Sequence, residues 1–269
     1  MPTRLVDTHC HLDAGELGAL GVETVVERAR RAGVERIVVP AIEPANFDTV
    51  RELAARFEGV HFALGIHPLR IDACDDRDLE RLDAALADAR DDPKLVAVGE
   101  IGLDFFVPGF DAVRQEHFYR AQLELAREHR LPVLLHVRRS QDRLLKYLRQ
   151  VRVPGGIAHA FNGSRQQAER FIELGFALGF GGAMTWERAR NIRRLASGLP
   201  LEAIVLETDS PDIPPPWLPT GEPNQPVEVA RIALEFARLR GLGIDEIAMA
   251  TSANAERVMP RLGPGAGTA

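Results

Sequence analysis

Eight short apolar runs rich in Val, Ile and Leu recur at fairly even spacing, each followed by a longer stretch with helical periodicity. They are Leu5 to His9, Arg36 to Ala41, His61 to Ile66, Leu95 to Ile101, Pro132 to Val137, Gly156 to Ala160, Phe176 to Gly181 and Ile204 to Asp209. Intervening segments such as Asp78 to Arg90, with Leu79, Leu82, Ala85, Leu86 and Ala89 on one face, read as amphipathic helices. Strands that are apolar on both faces need helical cover, and right-handed crossovers repeated eight times can close the sheet on itself. The pattern therefore predicts an α/β protein, a single-domain (β/α)8 TIM barrel over residues 1–262, with a disordered tail at 263–269. An open doubly wound sheet is the competing fold. The count of eight argues against it, and no G-x-G-x-x-G opens a helix after the first run. The length, 269 residues, is close to the roughly 250 typical of such a barrel. After the eighth run come a Pro-rich segment, Pro211 to Pro226, and helical stretches from about Val227 to Arg240 and from Ile244 to Val258.

Composition narrows the function classes. With 45% hydrophobic and 27% charged residues, the chain has the make-up of a globular protein, which excludes fibrous and disordered classes. The start, MPTRLVDTHCHLD, lacks a basic stretch followed by an apolar core, and no run approaches the ~20 apolar residues of a membrane helix. A soluble, cytoplasmic, monomeric protein with no membrane partner is the expectation. Cys10 and Cys74 are too few to suggest a disulfide framework. A net charge of −6 argues against a broad basic surface, so any phosphate recognition must be local.

Five of the eight histidines, His9, His11, His67, His136 and His159, fall at the predicted C-terminal ends of strands or just beyond. In a barrel those ends open onto one face, where catalytic groups sit. His61 opens its strand, and His117 and His129 lie on a helix, so packing or surface roles suit those three. His9 and His11 form His-x-His, and side-chain alternation on a strand points both imidazoles to one face, with Cys10 pointing away. An isolated His-x-His is as often a hydrogen-bonded pair as a metal chelate. The other strand ends break the tie, because His136, His159 and Asp209 each close an apolar run, and Glu100 stands at the end of the fourth. Burying such groups unpartnered costs on the order of 1 to 3 kcal/mol each, and a shared cation is an economical explanation. Imidazole and carboxylate ligands suit Zn, Mn, Ni or Fe(II), with Mg possible if water completes the shell. Six ligands from five strands imply two divalent ions, and the cofactors expected are Mg, Mn or Zn.

At these residues the chain resembles the TatD family of metal-dependent hydrolases, within the amidohydrolase-like superfamily. The likeness runs from Leu5 to about Val258, through Asp7-Thr8-His9-Cys10-His11-Leu12-Asp13, Gly65-Ile66-His67-Pro68, Gly99-Glu100-Ile101-Gly102-Leu103-Asp104, Leu135-His136-Val137-Arg138, His159-Ala160-Phe161-Asn162-Gly163-Ser164 and Glu207-Thr208-Asp209-Ser210-Pro211. Each motif is weak alone, but six in order are specific. Gln166 to Phe171 and the Asp104-Phe105-Phe106 loop look closest to the YjjV-like branch. The resemblance implies that His9, His11 and Asp209 hold one ion, that His136 and His159 hold the other, and that Glu100 bridges. It also implies that Asp209 is the general base and that the substrate is single-stranded nucleic acid or a small phosphoester, hydrolysed by a deoxyribonuclease or 3′ to 5′ exonuclease. Two features depart from the family. Phe105, Phe106 and Val107 stand where many TatD nucleases carry a polar or basic residue, and Asn224 is matched with no arginine before it.

Further candidates surround this set. His67 is read as a phosphate ligand or a partner of a metal ligand, and Arg138 as a guanidinium fork for phosphate, with Arg139 beside it solvated. Ser164 is either an anion site before a helix or an ordinary N-cap. Glu207 shares a face with Asp209 and is expected to orient a histidine or the base, and Trp217 to anchor its Pro-rich loop. The alternatives to a phosphodiesterase are hydrolysis of a small-molecule ester, lactone or amide, and a non-catalytic metal-binding scaffold. No lysine stands on the fourth strand where many amidases carry a carboxylated bridge, which favours the first reading.

Overall fold

The computed structural model describes residues 4–263, so the tail expected to be disordered falls outside the described residues from position 264 on. Its eight strands are β1 (Leu5–Asp7), β2 (Val34–Pro40), β3 (Val60–Leu64), β4 (Leu95–Asp104), β5 (Val133–Arg138), β6 (Gly156–Ala158), β7 (Phe176–Phe180) and β8 (Ile204–Leu206). They pair in parallel in the order β1-β2-β3-β4-β5-β6-β7-β8. Between and after them run α1 (Gly15–Leu20), α2 (Val22–Arg31), α3 (Phe47–Arg56), α4 (Asp76–Asp88), α5 (Ala112–Glu128), α6 (Gln141–Gln150), α7 (Arg165–Glu173), α8 (Gly182–Thr185), α9 (Arg190–Gly198), α10 (Val229–Arg240) and α11 (Ile244–Val258). Three helices, α4, α5 and α7, start where a short polar side chain takes up a free backbone N–H group. Asp75 accepts from Arg77 N at 2.9 Å before α4, and Ser164 accepts from Gln167 N at 3.1 Å before α7. The sheet is a nearly closed barrel, and its seam lies between β1 and β8 just past both strand ends. There Thr8 N donates to Leu206 O at 3.1 Å and Asp209 N to His9 O at 2.9 Å, and Cys10 bridges to Ser210.

The fold is the (β/α)8 barrel that the eight runs predict, with different strand limits. β1, β6 and β8 have only three residues each, so His9, His159 and Asp209 lie beyond the regular strands rather than on them. β4 is longer than expected and runs to Asp104, which puts Glu100 mid-strand, where the register slips between Val98 and Ile101.

Two apolar layers hold the barrel together. Leu64, Leu95, Phe118, Phe171 and Phe236 belong to the layer between strands and helices. Inside the ring, Val38, Ala63, Leu134, Ile157, Ala177 and Val205 pack with Val258, Met259 and Leu262 from α11 and the turn after it. That segment closes the N-terminal end of the barrel. Ser252 Oγ donates to Arg4 O, Asn254 Nδ2 to Ile204 O, and Arg261 Nη1 to Leu95 O, each at or beside the start of a strand. Burying each large aliphatic side chain contributes ~1.5 to 3 kcal/mol, so this end rests on ordinary hydrophobic packing. The opposite end stays available for polar groups. Among the described residues, no helix is long and apolar enough to cross a membrane.

Candidate metal centre

The seam segments deliver the first part of the centre. Asp7, the last residue of β1, accepts from Thr208 N at 2.9 Å and from Thr208 Oγ1 at 2.6 Å, which ties the segment carrying His9 to the one carrying Asp209. His11 N donates to Ser210 O at 2.8 Å, one rung further along. The ladder thus continues past the assigned strands, and the alternation expected of His-x-His survives. His9 Nε2 and His11 Nε2 meet at 3.2 Å, while Cys10 is buried in the layer between strands and helices. Asp209 adopts φ 57°, a left-handed conformation that few non-glycine residues hold.

β4 delivers Glu100, and two glycines let it. A Cβ at Gly99 would stand 2.6 Å from Leu134 Cβ, and one at Gly102, where φ is 149°, would stand 2.2 Å from His136 O. β4 can approach β5 this closely only without side chains at those positions. The Glu100 amide, freed from the regular ladder by the register slip, donates to Ala41 O at 2.9 Å.

The two oxygens of Glu100 face different imidazoles. Oε2 lies 3.3 Å from His9 Nε2 and 3.5 Å from His11 Nε2. Oε1 lies 2.9 Å from His136 Nδ1, 2.9 Å from His159 Nε2 and 3.5 Å from His67 Nε2. Asp209 Oδ1 stands 3.5 Å from His9 Nε2 and 3.7 Å from His11 Nε2. The rings of His9 and His159 stack with centroids 3.9 Å apart. All six residues expected as ligands are therefore gathered at the C-terminal mouth. His67 is gathered with them, its Nε2 3.1 Å from His136 Nδ1. Three trios have ligand atoms within 4.8 Å of one another: His9, His11 and Glu100; His9, His159 and Asp209; and His67, Glu100 and His136. His136 Nδ1 and His159 Nε2 lie 3.5 Å apart, each 2.9 Å from Glu100 Oε1, so these distances also accommodate the pairing of His136 with His159 that the resemblance implies, and His67 takes a further place beside His136.

Electrostatics favour positive charge here. Burial works against the charge of Glu100, yet the imidazoles of His67, His9 and His159 hold its carboxyl well below the usual carboxylate range. Burial lowers His159, but Glu100 and Asp209 outweigh it and lift the imidazole to about 10. Burial pushes His9 well below its ordinary value, and the neighbouring His159 adds to that. Asp209 is raised by burial. Burial and the neighbouring carboxylates thus drive the two stacked imidazoles in opposite directions. The Nε2 atoms of His9 and His11, facing each other 3.2 Å apart and both turned to Glu100 Oε2, suit a shared divalent cation. Nitrogen and oxygen donors without thiolate suit Zn or Mn, and Mg with added water.

The remaining candidates divide. Glu207 is buried under the centre, where Oε1 accepts from Ala160 N at 2.5 Å and lies 3.9 Å from His159 Nδ1, and burial pushes its carboxyl up to about 7. A Cβ at residue 179 would stand 2.1 Å from Glu207 Oε2, so this carboxyl occupies the space that Gly179 leaves. The exposed Arg138 sits at the rim, with Nη1 3.9 Å from Asp104 Oδ2. Ser164 has no hydrogen bond to the centre, and its hydroxyl serves the capping box of α7 with Gln167. Trp217 holds its Pro-rich loop through Nε1, which donates to Glu228 Oε2 at 2.6 Å. Asp104 was not singled out in the sequence. It is fully buried, stands 3.0 Å from His136 Nε2 and also accepts from Phe106 N and Val107 N. Burial acts upward on its carboxyl, but these bonds hold it at about 2. A signal for it existed, because Asp104 lies four residues after Glu100 on one strand and so has the same parity.

Eight parallel strands that bring imidazoles and carboxylates to their C-terminal ends define a metal-dependent hydrolase of the barrel type. Comparison with known proteins narrows this. The TatD related DNase family matches residues 6–260, and the chain belongs to the TatD family. It is 43% identical over 251 residues to the metal-dependent hydrolase YjjV of Escherichia coli strain K12, covering 93% of this chain and 95% of that one. It is 32% identical over 242 residues to the 3′-5′ ssDNA/RNA exonuclease TatD of Klebsiella pneumoniae strain 342, covering 86% of this chain and 89% of that one. The crystal structure of YjjV, a TatD homologue from Escherichia coli K12, superposes with a TM-score of 0.92 at 41% identity and covers 97% of this chain and 99% of that one.

Proposed function

We propose that the protein is a divalent-metal-dependent phosphodiesterase of the TatD type, trimming single-stranded nucleic acid from its 3′ end. The observation that carries this reading is the division of the Glu100 oxygens, Oε2 towards His9 and His11 and Oε1 towards His67, His136 and His159, which suits a carboxylate shared by two cations. Two divalent ions supply Lewis-acid stabilisation of a displacement at phosphorus and a lowered pKa for water. His9, His11, Glu100 and Asp209 would hold one ion, with His136, His159 and His67 on the other side of Glu100. Asp209 Oδ1 accepts the proton of the attacking water, and burial has already raised the affinity of that carboxylate for a proton. Asp104 orients His136 through Nε2, and Glu207 supports His159 from below. Arg138, exposed at the rim beside Asp104, holds the substrate phosphate.

Metal-loaded protein assayed on single-stranded DNA, single-stranded RNA, a simple phosphodiester and a panel of small esters tests this. The expected result is chelator-sensitive release of nucleotides from the 3′ end. Turnover of carboxylic esters, lactones or amides without any phosphodiester hydrolysis would transfer the site to the amidohydrolase reading.

A further inference from the structure

The loop after β4 opens with three apolar residues, Phe105, Phe106 and Val107. Phe106 is 44% exposed, two residues beyond Asp104 at the C-terminal end of β4. It is not loose. Asp104 Oδ1 accepts from Phe106 N at 2.8 Å, and Phe105 stacks on Phe110 with centroids 5.0 Å apart. Two guanidiniums lie on the Phe106 ring, Arg138 with its central carbon 4.0 Å from the centroid and Arg139 at 4.6 Å.

The turn that carries these arginines is held by its neighbours. Arg139 adopts φ 56°, and the buried Ser140 fixes the turn by accepting from Arg138 N at 3.2 Å and donating to Leu103 O at 2.7 Å. A side chain in the left-handed region is costly and persists where its surroundings impose it. Many arginines on this molecule pair with carboxylates, as Arg30 and Arg31 do with Glu27 and Arg120 does with Glu124. Among the described residues, no carboxylate oxygen lies within 4.0 Å of the Arg139 guanidinium, and Arg138 has only Asp104, at 3.9 Å. Stacking a guanidinium on an aromatic face restrains its plane while leaving the N–H edge free for an anion.

We propose that Phe106 is a positioning residue that holds Arg138 and Arg139 as a two-guanidinium clamp, Arg138 on the scissile phosphate and Arg139 on a second phosphate beside it. The substrate class is then one with two neighbouring phosphate groups rather than an isolated diester. This rests on the phosphodiesterase reading of the same centre. The second phosphate is either an internal diester of a longer strand or a terminal monoester, and both present the same tetrahedral anion to Arg139.

Three substrates separate these cases: a dinucleoside monophosphate, the same compound with a 5′-terminal phosphate, and a trinucleoside diphosphate. KM for the two-phosphate substrates is expected to be about tenfold lower than for the first, with kcat changing much less. Phe106→Ala and Arg139→Gln should bring that ratio close to one, whereas Phe106→Trp, which keeps a π face, should preserve it. A preference for the trinucleoside compound alone assigns the clamp to internal diesters, and a preference for both assigns it to any phosphate. A ratio near one in the wild-type enzyme, or a tenfold ratio that survives both Phe106→Ala and Arg139→Gln, would overturn the proposal. If none of the three substrates is hydrolysed, the phosphodiesterase reading fails, and calorimetric binding of a nucleoside 3′,5′-bisphosphate to metal-loaded protein judges the clamp alone. Binding weakened about tenfold in both Phe106→Ala and Arg139→Gln upholds it, and equal binding ends it.

Discussion

At the lower end of the barrel Val38, Ala63, Leu134 and Ala177 are sealed from solvent beneath α11, and at the upper end Asp7, His9, Asp104 and Glu207 are sealed just as completely. The same sheet supplies both sets. Burial stabilises the first set directly, through removal of apolar surface from water. For the second it acts the other way, pushing Asp7 up to about 8 and Glu207 up to about 7 because their charged forms are disfavoured away from water. The lower end and the outer layer hold the fold firmly enough that the upper end can carry groups whose burial opposes folding. Replacements at the two ends should therefore have effects of different kinds.

The largest difference is expected at Asp209. Asp209→Asn keeps the shape and one oxygen but removes the base, so kcat should fall by ~10² to 10⁴ with little change in KM while the remaining ligands retain at least one ion. Steady-state rates and bound metal measured on one preparation check this. Near-normal kcat at full occupancy would remove Asp209 from the chemistry.

Leu134→Ala probes the lower end. It opens a cavity in the barrel interior and should cost ~2 to 5 kcal/mol of unfolding free energy in denaturant titration, with the metal content of the folded protein retained. Loss of metal in the folded variant would show that the two ends are not independent.

The smallest effect is expected at Glu207. Its carboxyl is raised from 4.5 to about 7 on folding, so its contribution to stability is fully present below pH 4.5 and is lost as the pH rises through 7. Metal-free Glu207→Gln should therefore lose less stability than the wild type between pH 5 and pH 8. Urea titrations across that range decide it, and identical slopes would show that Glu207 does not titrate there.

The sequence made the barrel and the convergence of His9, His11, Glu100, His136, His159 and Asp209 legible because both follow from short-range patterns, apolar runs and the polar residues that end them. What it left hidden depends on pairing between distant segments. The seam through Thr8, Leu206, His9 and Asp209 extends the ladder past β1 and β8, and no local periodicity reports that. The place of Glu100 within β4 depends on how closely Gly99 and Gly102 pass β5, a tertiary contact. The contacts of His67, read in the sequence as a phosphate ligand or a partner of a metal ligand, are with β4 and β5, and the two guanidiniums on the face of Phe106 come from the turn after β5; no local pattern reports either.

The proposed sharing of Glu100 between two cations can be measured. Calorimetric titration of chelator-stripped protein with Mn or Zn, run on the wild type and on Glu100→Ala, tests it most directly, with circular dichroism confirming that the variant is folded. Two ions per wild-type chain are expected, together with weakening of both sites in the variant, since each loses one oxygen of the same carboxylate. Two ions bound by Glu100→Ala as tightly as by the wild type, or no binding by the wild type at all, would contradict it.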